Sequence, residues 1–336
     1  MANLQTTYMG IPVRNPLVVG ACSLTSHMDS IKKVEEAGAG ALVISSLFEE
    51  QINLQKARME EELSMHDNLD AEMGDLFPDV EHGGPQEHLY WVKKAKEAVS
   101  IPVIASLNCT AEATWVEWAK KLEDTGVDGL ELNFFALPLD ADQTAEAVES
   151  QQLRILQLVL GAVKVPVSVK LSPFYTSPLN VVKRMSEAGV KGAVLFNRMF
   201  HPTFDIEKEA SRTPFNLSHS DDHRLPLRYA GLLHDAVSLD VCSSNGIHSS
   251  KDAVEVLLAG AQVFQVVSTL YKNKLEVIQS IVGGIEKWMD GKGYADLDAF
   301  RGKLSAKNTN DRWDYRRAQY VRTLLNADQH VARPAL

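Results

Sequence analysis

The stretch Asp240 to Thr269, DVCSSNGIHSSKDAVEVLLAGAQVFQVVST, decides the fold. Asp240–Ser244 reads as a short strand that ends where Asn245 and Gly246 free the backbone to turn sharply. A helix follows, then Val263–Val267, a run of mostly β-branched and apolar residues bounded by Gly260 before it and Ser268-Thr269 after it. Amides left unpaired at such a turn, together with two hydroxyls at a helix start, outline a phosphate cradle. In an eight-stranded β/α barrel the phosphate of a ligand is commonly held by the loops after strands seven and eight. A plain βαβ unit with a Gly turn accounts for the stretch equally well.

Reading back toward the N-terminus, the same alternation recurs. Apolar strands are expected at Leu17–Ala21, Ala41–Ser45, Val103–Leu107, Gly129–Asn133, Val167–Leu171 and Gly192–Phe196, with helical patterns between most of them and Gly or Pro at the junctions. Gly38 is the expected C-cap of the first helix. With the two strands of the opening stretch this makes eight, the number a closed parallel barrel needs. The fold class is therefore α/β, a single (β/α)8 TIM barrel over residues 1–290. It carries a charged insertion after strand 2 (Leu47–Pro85), a polar one after strand 6 (Asn197–Leu225), and a helical C-terminal extension over 291–336. A doubly wound open sheet is the alternative, but Gly20-Ala21-Cys22-Ser23 stands where its Gly-x-Gly-x-x-Gly signature would follow strand 1. In the extension, Trp313, Tyr320, Val321 and Leu324 fall near one helical face, which suits packing on the barrel or on a partner subunit.

Composition narrows the function. The 336 residues carry 34 basic and 44 acidic side chains, a net charge of −10. No basic block tracks a phosphate backbone, so nucleic acid is not an expected partner. Cys22, Cys109 and Cys242 are odd in number, far apart and without metal-ligand spacing, which suits a reducing, cytoplasmic setting and gives no metal site. No stretch approaches 18 apolar residues, so no integral membrane segment is expected.

In such a barrel, reactive groups stand at the C-terminal ends of strands. Lys170 ends the otherwise apolar VSVKL strand, a charge that is costly to bury without a partner anion. It either meets such an anion or snorkels from the barrel mouth. Asn133 and Asn197 end the two flanking strands; their amides suit the donor and acceptor edges of a flat heterocycle, and equally the capping of a following turn.

The chain resembles the FMN-dependent class 1 dihydroorotate dehydrogenases over roughly residues 10 to 285. The marks are NPLVVGA near the start, ELN at strand 4, VKLSP at strand 5, FNR at strand 6, then NGI and LAGAQVFQVVST. The resemblance implies an oxidoreductase that moves hydride from a CH–CH bond of dihydroorotate, or a related small molecule, to FMN in pyrimidine biosynthesis. It implies Ala21 and Cys22 against the flavin, Lys170 beside its ring, Asn133 and Asn197 near ring and substrate, and Asn245, Gly246, Ser268 and Thr269 around its phosphate. It also implies a homodimer. A cation such as Lys170 near the ring stabilises the negative charge that accompanies reduction.

Two departures bear on the substrate. Where the family ends strand 2 with a lysine that contacts flavin and substrate, this chain has Ser45 followed by Ser46. Where the family places its proton-abstracting cysteine or serine, this chain has Ala136. Cys109 is then the replacement catalytic candidate, with Cys22, Tyr175 and His201 as others near strand ends; a buried Cys or an isolated His is more often inert. Two further readings follow: a flavin-binding homologue with another substrate or no catalysis, and a phosphate-binding barrel lyase or isomerase without flavin.

Overall fold

The structure, a computed structural model, describes residues 2–55, 84–135, 138–311 and 313–329. Its centre is a closed ring of eight parallel strands, β1 Leu17–Val19, β2 Ala41–Val43, β3 Val103–Asn108, β4 Gly129–Phe134, β5 Val167–Leu171, β6 Gly192–Leu195, β7 Asp240–Ser244 and β8 Val263–Val266. The ring closes where Phe264, Gln265 and Val266 of β8 pair with Leu17, Val18 and Val19 of β1. Helices Met28–Glu36 (α1), Pro85–Ala98 (α2), Glu112–Glu123 (α3), Ala145–Leu160 (α4), Pro178–Ala188 (α5), Arg224–Leu233 (α6), Ser250–Ala259 (α7) and Glu276–Lys292 (α8) follow the strands in turn. The doubly wound alternative is excluded by that closure.

Alternation along each strand separates two cores. Leu42, Val103, Ala105, Leu130, Leu132, Val167 and Val169 face the helices and join one large apolar cluster. Val18, Ala41, Val43, Ile104, Val194, Cys242 and Val263 face inward and form a second. Branched and small side chains suit both faces because each strand is covered on both sides. The long apolar runs that betray these strands in the sequence have this origin.

The bottom of the barrel is stoppered by a hairpin that the sequence reading did not resolve, Thr6–Tyr8 paired with Ile11–Val13. Met9 (φ 56°) and Gly10 (φ 79°) make its tight turn, where glycine takes the left-handed conformation at no cost. Tyr8 and Met9 enter the inner cluster, and the Met9 N–H donates to Asp240 Oδ2 at 2.7 Å. Gly129 and Gly192 open β4 and β6 because there is no room for more: a Cβ at either would lie 3.0–3.1 Å from Met9.

The first helix ends one residue earlier than expected. Ala37 is the C-cap, and Gly38 follows it with φ 102°. The insertion after β2 begins with a short strand, Leu47–Phe48, paired with Leu107 and Asn108; residues 56–83 lie outside the described residues. The insertion after β6 contains a small hairpin, Thr203–Asp205 with Ala210–Arg212, and a 3-10 turn at Ser220–His223. Past α8 the chain returns under the barrel. Leu297 and Phe300 are 1% exposed, and the Leu304 and Ala306 N–H groups donate to Leu258 O and Gly231 O. The last helix, Arg317–Leu325 (α9), buries none of its residues; Trp313, Tyr320 and Leu324 are each at least half exposed. Their common apolar face is thus not covered by the barrel.

Phe300 packs edge-on to Trp288 and beside Tyr294, which ties the returning segment to α8. Phe300→Ala should cost about 3–5 kcal/mol of stability, the usual range for emptying a buried aromatic site. Denaturant unfolding measures this as a lowered midpoint with an unchanged slope; an unchanged midpoint would place the segment outside the cooperative unit.

Candidate active site

At the upper end of the inner face the lining turns polar. Glu131 on β4, Lys170 on β5 and Gln265 on β8 are 1%, 7% and 1% exposed. Lys170 Nζ donates to Gln265 Oε1 at 3.1 Å, Gln265 Nε2 donates to Glu131 Oε2 at 2.6 Å, and Lys170 Nζ lies 3.7 Å from Glu131 Oε1. The ammonium is therefore buried with its counter-charge, which disposes of the snorkelling alternative. Asn197 Nδ2 donates to Asn133 Oδ1 at 2.8 Å, and Asn108 Nδ2 donates to the Asn133 carbonyl at 2.7 Å. The two amides at the ends of β4 and β6 thus bind each other above the strand that carries Lys170.

After β7, Asn245 (φ 86°) and Gly246 (φ 71°) make the sharp turn. A Cβ on Gly246 would fall 2.1 Å from the His223 backbone nitrogen, so this position is restricted to glycine by close approach as well as by φ. The Gly246 N–H points at Ser218 Oγ (3.3 Å), the Ser218 N–H donates to Ser268 Oγ (3.0 Å), and Lys272 Nζ donates to Ser218 O (2.6 Å). Ser218 therefore ties Gly246, Ser268 and Lys272 together. Ser218 and Lys272 were missed in the sequence because neither ends a strand; Ser218 arrives from the insertion after β6. Thr269 is buried, and its hydroxyl accepts from Asn273 Nδ2 within the short helix Ser268–Asn273.

Cavities lie along this mouth, three of which bear on the candidate residues. One of about 310 Å³ brings together Ala21, Cys22, Lys170, Asn197, Asn245, Gly246 and Ser268, with Arg198, Ser218 and Gln265. A second, of about 430 Å³, shares Ala21, Cys22 and Ser23 with the first and is lined by Ser45, Ser46, Glu87 and His88. A third, of about 790 Å³, shares Phe48 and Gln51 with the second and is walled by Trp115, Phe134, Phe135, Gln152 and Cys109. Charge is divided among them. The described lining of the first contains Lys170 and Arg198 and no carboxylate, whereas those of the second and third contain Glu87 and Glu50 and no Lys or Arg.

The proton-acceptor candidates scatter. Cys109 lines the 790 Å³ cavity, away from Lys170; burial first, then Glu49 and Glu50, pushes its thiol well above the ordinary range. Burial also raises the Cys22 thiol. Tyr175 donates to Gln152 Oε1 at 2.8 Å, and burial raises its hydroxyl to about 12. His201 is exposed. Ala136 lies outside the described residues.

His88, in the first turn of α2, was not a candidate from sequence, where it looks like one polar residue on an amphipathic helix. The residue lines the cavity beside Ser45, but its Nε2 is buried out of reach of that space and without a hydrogen-bond partner, and burial pulls its pKa down to about 4. A histidine held below its unfolded value stabilises the fold above that value and loses the contribution as pH falls. Between about pH 6.5 and pH 4 the unfolded chain binds the extra proton, so wild type should lose about 2 kcal/mol more than His88→Gln on going from pH 7 to pH 5. Denaturant unfolding of both proteins at the two pH values checks this; parallel losses would mean that the imidazole is not desolvated.

Comparison with known proteins gives the family. The dihydroorotate dehydrogenase family model matches residues 3–289. A putative dihydroorotate dehydrogenase A (fumarate) from Aeropyrum pernix is 31% identical over 215 residues, covering 61% of this chain and 68% of the relative. The catalytic subunit of dihydroorotate dehydrogenase B (NAD(+)) from Thermoplasma volcanium is 26% identical over 315 residues, 90% of this chain and 98% of the relative. Its namesake from Methanosarcina acetivorans is 28% identical over 308 residues, 87% of this chain and 93% of the relative. With a closed β/α barrel, a buried lysine at its mouth and a family match across most of its length, the chain belongs to the dihydroorotate dehydrogenase family, as an oxidoreductase of that kind.

Proposed function

We propose that the chain binds FMN in the 310 Å³ cavity and oxidises a CH–CH bond of dihydroorotate or a related reduced cyclic amide. The observation that carries this reading is the division of charge: the cavity holding Lys170 and the Gly246–Ser268 cradle is lined by cations and no carboxylate among the described residues. That lining fits a flavin phosphate. Gly246, Ser218, Ser268 and the Lys272 ammonium would hold the phosphate, an anion met by a glycine turn and a helix start. The single cradle and the missing dinucleotide signature favour FMN over a dinucleotide flavin. When bound, FMN supplies the two-electron acceptor for hydride.

The chain's own residues supply charge and alignment. Lys170 would place a fixed positive charge beside the ring, where negative charge accumulates on reduction, and Gln265 and Glu131 hold its ammonium in that position. Asn133 and Asn197, already fixed to each other and to Asn108, would present amide edges with little rotamer freedom left to lose. Ala21 and Cys22 line both the first and second cavities and would pack against the flavin where the two spaces join. The setting is cytoplasmic in this reading; no helix among the described residues is long and apolar enough to cross a membrane.

The purified protein is expected to be yellow and to release FMN on denaturation. A colourless protein that cannot be reconstituted would point to a phosphate-binding lyase or isomerase instead. Lys170→Ala should lower the flavin potential by about 30–60 mV, as expected for one charge-assisted hydrogen bond in a two-electron couple. Spectroscopic titration against a reference dye measures it, and an unchanged potential in the folded variant would separate Lys170 from the ring. We further assign the uncovered Trp313, Tyr320 and Leu324 face to a homodimer contact. Light scattering should give twice the chain mass at micromolar concentration; a monomer there would count against it.

A further inference from the structure

The buried polar group on β4, β5 and β8 divides its work between two residues. Gln265 fixes the place of the ammonium: its Oε1 accepts from Lys170 Nζ at 3.1 Å, while its Nε2 donates to Glu131 Oε2 at 2.6 Å, which sets the way the amide faces. Glu131 itself makes no hydrogen bond to the ammonium. Its Oε1 has no hydrogen-bond partner and lies 3.7 Å from Lys170 Nζ, close enough for charge to act and too far for a hydrogen bond. The residue is 1% exposed and does not line the 310 Å³ cavity, whereas Lys170 does. Tyr8 of the basal hairpin and Cys242 of β7 lie near it inside the barrel. Burial first, with Glu131 among the lesser causes, holds both well above their ordinary values, so both are neutral at physiological pH. The charge that answers Glu131 is therefore that of Lys170. An ammonium with a carboxylate 3.7 Å away presents a dipole in place of a full charge, and the field of a dipole falls off faster with distance.

We propose that Glu131 tunes the flavin through Lys170: its carboxylate cancels part of the ammonium's field and sets the flavin potential lower than Lys170 alone would. With its oxygens out of the cavity, Glu131 is a positioning residue and not a catalytic one. An ammonium left whole would stabilise the reduced state, which favours the arrival of hydride and opposes the departure of electrons to the next acceptor. The carboxylate balances the two halves of turnover. This assignment rests on the function proposed above, and the test reads flavin content and flavin potential separately.

Glu131→Gln keeps the shape and an acceptor for Gln265 Nε2 while removing the charge. In a spectroscopic titration against a reference dye, the ratio of reduced to oxidised flavin at a fixed potential should rise about tenfold, an upward shift of about 30 mV for a two-electron couple. The sign of the shift is decisive. If Glu131 served only to anchor Lys170, its loss would free the ammonium and lower the potential, the direction expected for Lys170→Ala. Because Glu131→Gln leaves Lys170 buried without its counter-charge, which can cost folding, a second comparison removes both charges. Lys170→Met/Glu131→Met should show a smaller fall in potential than Lys170→Met, since the carboxylate that disfavours reduced flavin has gone as well. An anchor without an electrical role would leave those two variants at the same potential. An unchanged or lowered potential in Glu131→Gln, or equal potentials for Lys170→Met with and without Glu131→Met, overturns the assignment and leaves the flavin in place. A colourless protein that cannot be reconstituted with FMN overturns both the assignment and the function on which it rests.

Discussion

One buried ammonium organises the mouth of this barrel. Lys170 is out of water, and a charge in that position is tolerable only if the surrounding strands deliver acceptors to it. They do so from β4, in Glu131, and from β8, in Gln265, so three strands that are distant in sequence are tied together at one height. The tie also sets register. Side chains alternate between the two faces of a strand, so a slip of β5 by one residue would drive Lys170 into the helix-facing apolar layer and pull Val169 or Leu171 inward. The amide pair above it, the glycine turn after β7 and the cavities around them all take their positions from strands held in this way.

Charge is unevenly spread over the adjoining cavities among the described residues. Lys170 and Arg198 serve the side of the mouth formed by β5 to β8, with the Gly246–Ser268 turn and Lys272 close by. The side formed by β2 to β4 carries Glu50 and Glu87, and Glu49, which caps the start of α3 by accepting from Thr110 and Ala111. Ala21 and Cys22 stand on the boundary between the two halves. In water such differences would be screened within about 8–10 Å, but in partly enclosed cavities the screening is weaker.

Much of this was legible in the amino-acid order, for a specific reason. β5 and β7 fall on the expected boundaries because their apolar runs are short and end at Pro or at Asn-Gly, so period and punctuation agree. Lys170, Asn133 and Asn197 could be found because each is a polar residue ending an apolar strand. What escaped has no such local mark. Tyr8 and Met9 are buried only because Gly129 and Gly192, well over 100 residues later, make room for them. Ser218 matters through a turn and a helix on two other elements, and His88 through the burial of its imidazole without a partner. Those meanings exist only after the ring has closed.

The hairpin at the base carries a consequence for the order in which the chain is made. Its anchoring bond, from Met9 to Asp240, joins positions 231 residues apart. Ribosomal synthesis runs from N to C, so the hairpin emerges long before β7 exists to receive it. A two-stranded ribbon has little stability alone, and loop closure over that distance carries a large entropic cost. For most of synthesis the stopper is therefore an unsatisfied apolar segment, and β1 waits equally long for β8. The barrel is assembled with its first and last pieces meeting at the end, which gives a nascent chain of this kind an extended interval in which other proteins can reach its unfinished core.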